Sequence, residues 1–292
     1  MKLAELFAAI VSCGIDRDVR GKGRRIDYFP DSALLYGDPH TDIKHIMVGI
    51  DIETPELLLA DRLRSSQGID LVIAHHPEGR AYARLHEAMQ LQVDILVKAG
   101  FPQSAAESYL TERMREVSRR LSPQNHMRSV DTAKLLDMPF ICAHTPADNH
   151  VYWFLTDLMR AKKPRRVKDI FDILHKIPEY AQASSINQGP QLILGSLHRE
   201  AGKIFVEMTG GTEGHRDIYP TLYKTGVRTL VCMHLSEEHF KKVNDANLNV
   251  IIAGHVSSDT LGVNLLLDRV ERLAREKFHF IDCSGFRRIR RN

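Results

Sequence analysis

Apolar residues fall along this chain in two rhythms. Short unbroken apolar runs read as strands buried on both faces, and stretches with apolar positions every three or four residues read as amphipathic helices. Leu3, Leu6, Phe7, Ile10 and Val11 follow helical spacing, and Glu5 interrupts the apolar stretch, so the chain opens on an amphipathic helix and not a signal peptide. The runs HIMVGID (45–51), DLVIAHH (70–76) and PFICAH (139–144) predict strands in the first half. Between the first two, Thr54 as N-cap with Pro55 at the first helical position predicts a helix, giving a βαβ unit. Leu110, Met114, Val117 and Leu121 predict a further helix ending near Ser122-Pro123. QLILGS, KIFVEMT, RTLVCMH, NVIIAGH and FHFIDC supply the strands of the second half. Strand–helix alternation of this kind implies an α/β fold. The polar segment 160–166, which contains Pro164, divides it into an N-terminal α/β domain (1–163) with a helical insertion and a C-terminal α/β domain (164–292).

Four of these strand-like runs finish on histidine: His76, His144, His234 and His255. Strands of an open α/β sheet share the edge at their carboxyl ends, where ligands bind, and histidine is both the commonest metal ligand and the usual acid or base near neutral pH. The sharpest local signal is His75-His76-Pro77. Neighbours in a regular strand face opposite sides, and Pro77 breaks that alternation, so both imidazoles reach one cleft. Asp148, in the turn AHTPAD, places a carboxylate just beyond another strand end. In GHVSSD, His255 closes a strand, Ser257 or Ser258 caps the next helix, and Asp259 lies in its first turn. Histidine and aspartate without cysteine make a borderline-to-hard donor set, suited to zinc, manganese, iron, cobalt or nickel. For proton transfer the candidates are Glu78, weighed against a surface carboxylate, and His234, weighed against a mere helix start at Ser236. The Thr209–His215 loop lacks the ending of a phosphate loop and carries only a weak nucleotide signal.

Composition narrows the class. With 43% hydrophobic and 26% charged residues among 292, the chain can bury two cores, and no apolar stretch approaches the roughly 20 residues of a membrane span. The four cysteines form no CxxC pair, and Cys142, Cys232 and Cys283 lie in apolar runs, which fits a reducing cytoplasm. A net charge of +3 does not call for nucleic acid, and the basic end FRRIRRN reads as a solvated terminus.

Taken in order, GDPHTDIKHIMVGID (37–51), IDLVIAHHP (69–77), AHTPAD (143–148) and AGHVSSD (253–259) resemble the NIF-three-like (Ngg-interacting-factor-three-like) dinuclear metal proteins. The resemblance implies two divalent metal ions in a cleft between two α/β domains. His75 and His76 match the family's paired histidines, Asp148 the aspartate of its His-Thr-x-x-Asp turn, and His255 its C-terminal metal histidine. Asp259 stands where the family has glutamate, one methylene longer. The segment 79–139 departs from the family pattern. A homohexamer is implied, as is a hydrolase of the GTP cyclohydrolase I type 2 kind acting on a nucleotide or related small molecule. The competing class is a metal-binding regulatory or assembly protein without turnover, because ligand spacing records coordination and not reaction.

Overall fold

The computed structural model describes residues 1–21 and 28–291. Its nine strands form two sheets: β1 (Ser32–Tyr36), β2 (His45–Gly49), β3 (Leu71–Ala74), β4 (Phe140–Ala143), β5 (Gln191–Leu194), β6 (Lys203–Glu207), β7 (Val227–Cys232), β8 (Asn249–Ile252) and β9 (His279–Cys283). The first sheet has the order β1-β4-β3-β2-β9 and the second β5-β8-β7-β6. Apart from β9 the two orders are the same. In each, the first strand runs antiparallel to the fourth and the other pairs are parallel. The chain is thus built from two α/β halves of like topology, and equivalent strand ends carry equivalent chemistry: β4 leads into His144 and β8 into His255, while β3 leads into His75-His76 and β7 into Met233-His234.

Helices beginning at Thr145 (Thr145–Lys162) and His255 (His255–Ala274) follow β4 and β8 and cross against each other. The crossing is close because Gly262 sits in it. A Cβ at that position would lie 2.6 Å from the carbonyl oxygen of Ala147. Val263, Leu266, Leu267 and Val270 of the second helix are buried with Leu3, Leu6, Ile10 and Ile46 of the first half. Burial of that apolar face carries the chain back across the molecule, and this corrects the placement of FHFIDC. As β9 it pairs in parallel with β2 of the first sheet, covering an edge that would otherwise be open.

The segment 79–139 crosses in the other direction. Leu91, Ile95 and Leu96 of the helix Gln90–Lys98 and Leu110, Val117 and Leu121 of the helix Gln103–Leu121 are buried with Phe205, Leu230 and Val250 of the second sheet. The stripe expected at Leu110, Val117 and Leu121 is therefore the buried face, with Met114 packed beside it.

Two further expectations change. The helix Thr54–Gln67 has Glu53 and not Thr54 at its N-cap; the Glu53 N–H donates to the Glu56 carboxylate (2.9 Å), and Thr54 instead bonds Thr132 (3.0 Å). The basic tail, described as far as Arg291, is not a solvated end. Arg288 is buried against Asp268 (2.5 Å) and Glu271 (3.1 Å), Arg290 pairs with Glu271 and Arg291 with Glu179. Buried carboxylates require partners, and the arginines supply them for Asp268 and Glu271 of the helix His255–Ala274 and for Glu179 of the helix Pro178–Ser185. Among the described residues, no helix is long and apolar enough to cross a membrane.

Candidate metal centre

Both histidines after β3 continue its parallel ladder: the His75 N–H donates to Gly49 (2.9 Å) and the His76 N–H to Ile50 (3.0 Å). Their rings nevertheless stand only 5.2 Å apart at the edge shared by the two halves. His144 precedes the helix Thr145–Lys162, and Asp148 lies one helical turn on. His255 opens its helix after Gly254, whose φ of 107° turns the chain out of the strand, and Asp259 again lies one turn on. Residues four apart share a helix face, so each half presents a His/Asp pair. The caps expected at Ser257 and Ser258 are not formed; both lie within the first turn and donate to the Gly254 carbonyl (3.3 and 2.5 Å).

These donors converge. Three groups, His75/His76/His144, His76/His255/Asp259 and His75/Asp148/Asp259, each have their donor atoms within 4.8 Å of one another. Asp259 stands between them: its Oδ1 is 3.5 Å from His75 Nε2, and its Oδ2 is 3.5 Å from the Nε2 atoms of His76 and His255. Asp148 Oδ1 lies 3.5 Å from His75 Nε2, and its Oδ2 3.7 Å from His144 Nε2. Among the described residues, His75 Nε2, Asp148 Oδ1 and both Asp259 oxygens are buried without a hydrogen-bond partner. Such atoms are costly unless a cation takes them up. Ligands about 2.0–2.1 Å from a tetrahedral zinc stand roughly 3.3–3.4 Å from one another, close to the separations seen here, so the residues fit a metal.

The surrounding groups orient the rings. His76 Nδ1 bonds Asp51 (2.6 Å), His144 Nδ1 bonds Asp31 (2.9 Å), and His75 Nδ1 lies 3.3 Å from the Ala143 carbonyl oxygen. In each case Nε2 is left facing the centre, the arrangement by which outer carboxylates and carbonyls fix metal-binding histidines. Charge favours a cation too. Burial opposes the charged form of His76, yet the carboxylates of Asp259 and Asp51 facing its ring push it up to about 10. Burial together with neighbouring imidazoles holds His255 down at about 4, and Asp259 stays well below the usual carboxylate range despite burial because three histidines face it. Asp148 is pushed up by burial and by Asp259.

His234, at the end of β7, occupies the place in the second half that His76 occupies in the first. Its ring is 4.9 Å from that of His255, and its Nδ1 faces Glu213 at 3.5 Å. A hydrogen bond to Glu213 raises its pKa against the opposing effect of burial. Glu213 is fixed by the Ser236 N–H (2.6 Å). Its loop, turned at Gly210 (φ 99°), is braced from the insertion: the Gln92 side-chain amide donates to Gly210 (2.8 Å) and Thr212 (2.6 Å), and Arg113 donates to the Glu213 carbonyl (3.1 Å). Glu78 precedes the helix Gly79–Ala83, and its carboxylate accepts the Ser129 hydroxyl (2.5 Å), with its pKa raised by burial.

His75, His76, Asp148, His255 and Asp259 are thus brought together, and His234 beside them. His144 escaped assignment from sequence, although the strand-His-x-x-x-Asp spacing repeats at 144/148 and 255/259 and would have found it. Asp51 ends the strand-like run HIMVGID, a position that reads equally as lining the cleft or satisfying loop amides, and it bonds His76; Asp31 and Glu213 carried no comparable signal.

No protein-family model matches the sequence, and a search of curated proteins finds no match. Solved structures do match. Over 95% of this chain and 98% of the other, it is similar to a NIF3 superfamily protein from Sphaerobacter thermophilus, with 28% identity and a TM-score of 0.78. Reduced HcgD from Methanocaldococcus jannaschii matches over 97% of each chain at 16% identity and a TM-score of 0.54. A Bacillus cereus protein related to NIF3 matches over 97% of this chain and 96% of its own at 11% and 0.51. The last two matches speak for the fold alone.

Proposed function

We propose that this NIF3-like chain holds two divalent metal ions between its halves and uses them to hydrolyse a small molecule, a nucleotide or a related compound. The observation that carries the reading is Asp259, buried and unpartnered, with one oxygen toward His75 and the other toward His76 and His255. His75, His144, Asp148 and Asp259 would hold one cation and His76, His255 and Asp259 the other, with zinc, manganese, iron, cobalt and nickel all compatible with these donors. Two such cations, when bound, lower the pKa of a water and polarise the electrophile.

The chain's own residues supply the rest. His234, whose pKa Glu213 raises, serves as the proton donor to the leaving group. Glu78 is the second candidate for proton transfer, and turnover by His234→Ala and Glu78→Ala separates the two. GTP cyclohydrolase I type 2 chemistry is one member of this class. A non-catalytic metal-binding role is the second reading, favoured by the tightness of the cavity at the centre, about 50 Å³. The same proposal includes a homo-oligomer, a hexamer in the NIF-three-like pattern, in which exposed Leu135, Ile186 and Leu273 would be covered. It also includes a reducing cytoplasm, in keeping with four free cysteines.

Elemental analysis of tag-free protein purified without chelator tests the reading. About two metals per chain, lost in His75→Ala and His255→Ala, is the expected result, and screens of GTP and other nucleotides follow. No metal in the native protein and none after reconstitution refutes it.

A further inference from the structure

The cavity beside the metal donors is acidic in the part those donors leave to a ligand. Among the described residues, Glu207, at the end of β6, and Glu213, in the loop that follows, line it with Asp148 and Asp259, and no lysine or arginine does. Asp148 and Asp259 bring buried, unpartnered oxygens to it. Nearby cations are already engaged: Arg113 pairs with Glu116 (2.8 Å), Arg216 with Glu238 (2.6 Å) and Lys242 with Asp217 (2.8 Å). Two divalent cations at the centre would be balanced by Asp148 and Asp259 together with Asp31 and Asp51, which bond the ligating rings of His144 and His76. Glu213 already faces His234 Nδ1 at 3.5 Å, and Glu207 is then the acidic group left to an entering group.

Glu207 accepts only a long bond of 3.5 Å, from the Gly214 N–H, among the described residues, so acceptor capacity remains for a ligand. Burial and the charge of Glu213 raise its pKa, and a donor or cation placed against it would relieve both effects. Gln92 and Arg113 hold the backbone that carries Glu213, so this wall is formed in advance. At about 50 Å³ the cavity admits a functional group of roughly three or four heavy atoms, not a whole nucleotide.

We propose that the group entering this cavity is a neutral or cationic nitrogen function presenting N–H donors, such as an amine, an amidine or the amidine-like edge of a nitrogen heterocycle, and that phosphoryl groups stay outside. A nucleotide substrate enters base first. This names the substrate class of the proposed hydrolase site and rests on that reading. Carboxylates accept paired N–H donors strongly and repel phosphate.

The test is calorimetric titration of metal-reconstituted protein with acetamidine and, separately, inorganic phosphate at matched ionic strength, repeated on Glu207→Gln and Glu213→Gln. Acetamidine is expected to bind at least about tenfold tighter than phosphate, and each substitution to weaken it about tenfold with metal content unchanged. Tighter binding of phosphate, or acetamidine binding indifferent to both substitutions, overturns the proposal. Metal content of the same samples, and turnover of nucleotides by them, decide the metal-centre and hydrolase readings separately.

Discussion

Replacing Gly262 with alanine tests whether the helix crossing sets the spacing of the two aspartates. The new Cβ would stand 2.6 Å from the Ala147 carbonyl oxygen and 3.0 Å from its carbon, both backbone atoms of the helix that carries Asp148. Unstrained contacts are about 3.5 Å or longer, so one helix must move by roughly half an ångström or more. Overpacking of this kind costs about 1–3 kcal/mol. In an unhindered helix the same change would instead stabilise by about 1 kcal/mol, since glycine is the poorer helix former. The opposed signs make the experiment decisive. Metal-free Gly262→Ala protein is expected to lose about 1–2 kcal/mol in urea denaturation followed by circular dichroism. Because the donors of both helices sit about 3.5 Å from His75 Nε2, the same movement should lower metal affinity about tenfold or more. A gain in stability with unchanged metal affinity would refute the argument that this crossing builds the site.

Four other outcomes are expected. Asp259→Asn should empty both proposed cation positions, whereas Asp148→Asn should empty only the one held by His75, His144 and Asp148; equal metal loss by elemental analysis would deny Asp259 its shared position. Arg288→Ala leaves Asp268 buried without its ion-pair partner and should cost about 3–5 kcal/mol, while half-exposed Arg290→Ala should cost about 1 kcal/mol or less; similar melting temperatures for the two would count against the tail as a structural clasp. Burial works against the charged form of Glu271, but Arg290, the Phe278 N–H and Arg288 hold its pKa below the ordinary value. The unfolded chain therefore takes up that proton first as pH falls, so the stabilisation is complete above about pH 4.3 and lost below it; thermal melts between pH 6 and 3 should show a shallower acid slope in Glu271→Gln. Gln92→Ala removes the donor to two carbonyls of the 209–215 loop, at about 1–3 kcal/mol, and should speed amide exchange there without changing metal content; unchanged exchange would remove the bracing role.

The sequence by itself determined the runs that become β2 to β9, because strands buried in a sheet are apolar runs, but not the antiparallel edge strand β1; it also determined most of the candidate centre, because His75, His76, Asp148, His255 and Asp259 all follow strand ends. Local spacing also carried the helix with Leu110, Val117 and Leu121 buried. It did not reveal that β9 closes the first sheet, since an apolar run records burial and not its neighbour. Nor did it reveal that the arginine tail is buried, since a charged terminus reads alike whether it meets solvent or distant carboxylates. Glu213 meets His234 through a loop held by Gln92 and Arg113, a hundred residues or more before the groups they bond. Donor identity is thus a local property, written in residue type and period. Donor convergence depends on two helices crossing at Gly262 and on a segment of one half packing over the other, and those contacts exist only once the halves have closed on each other.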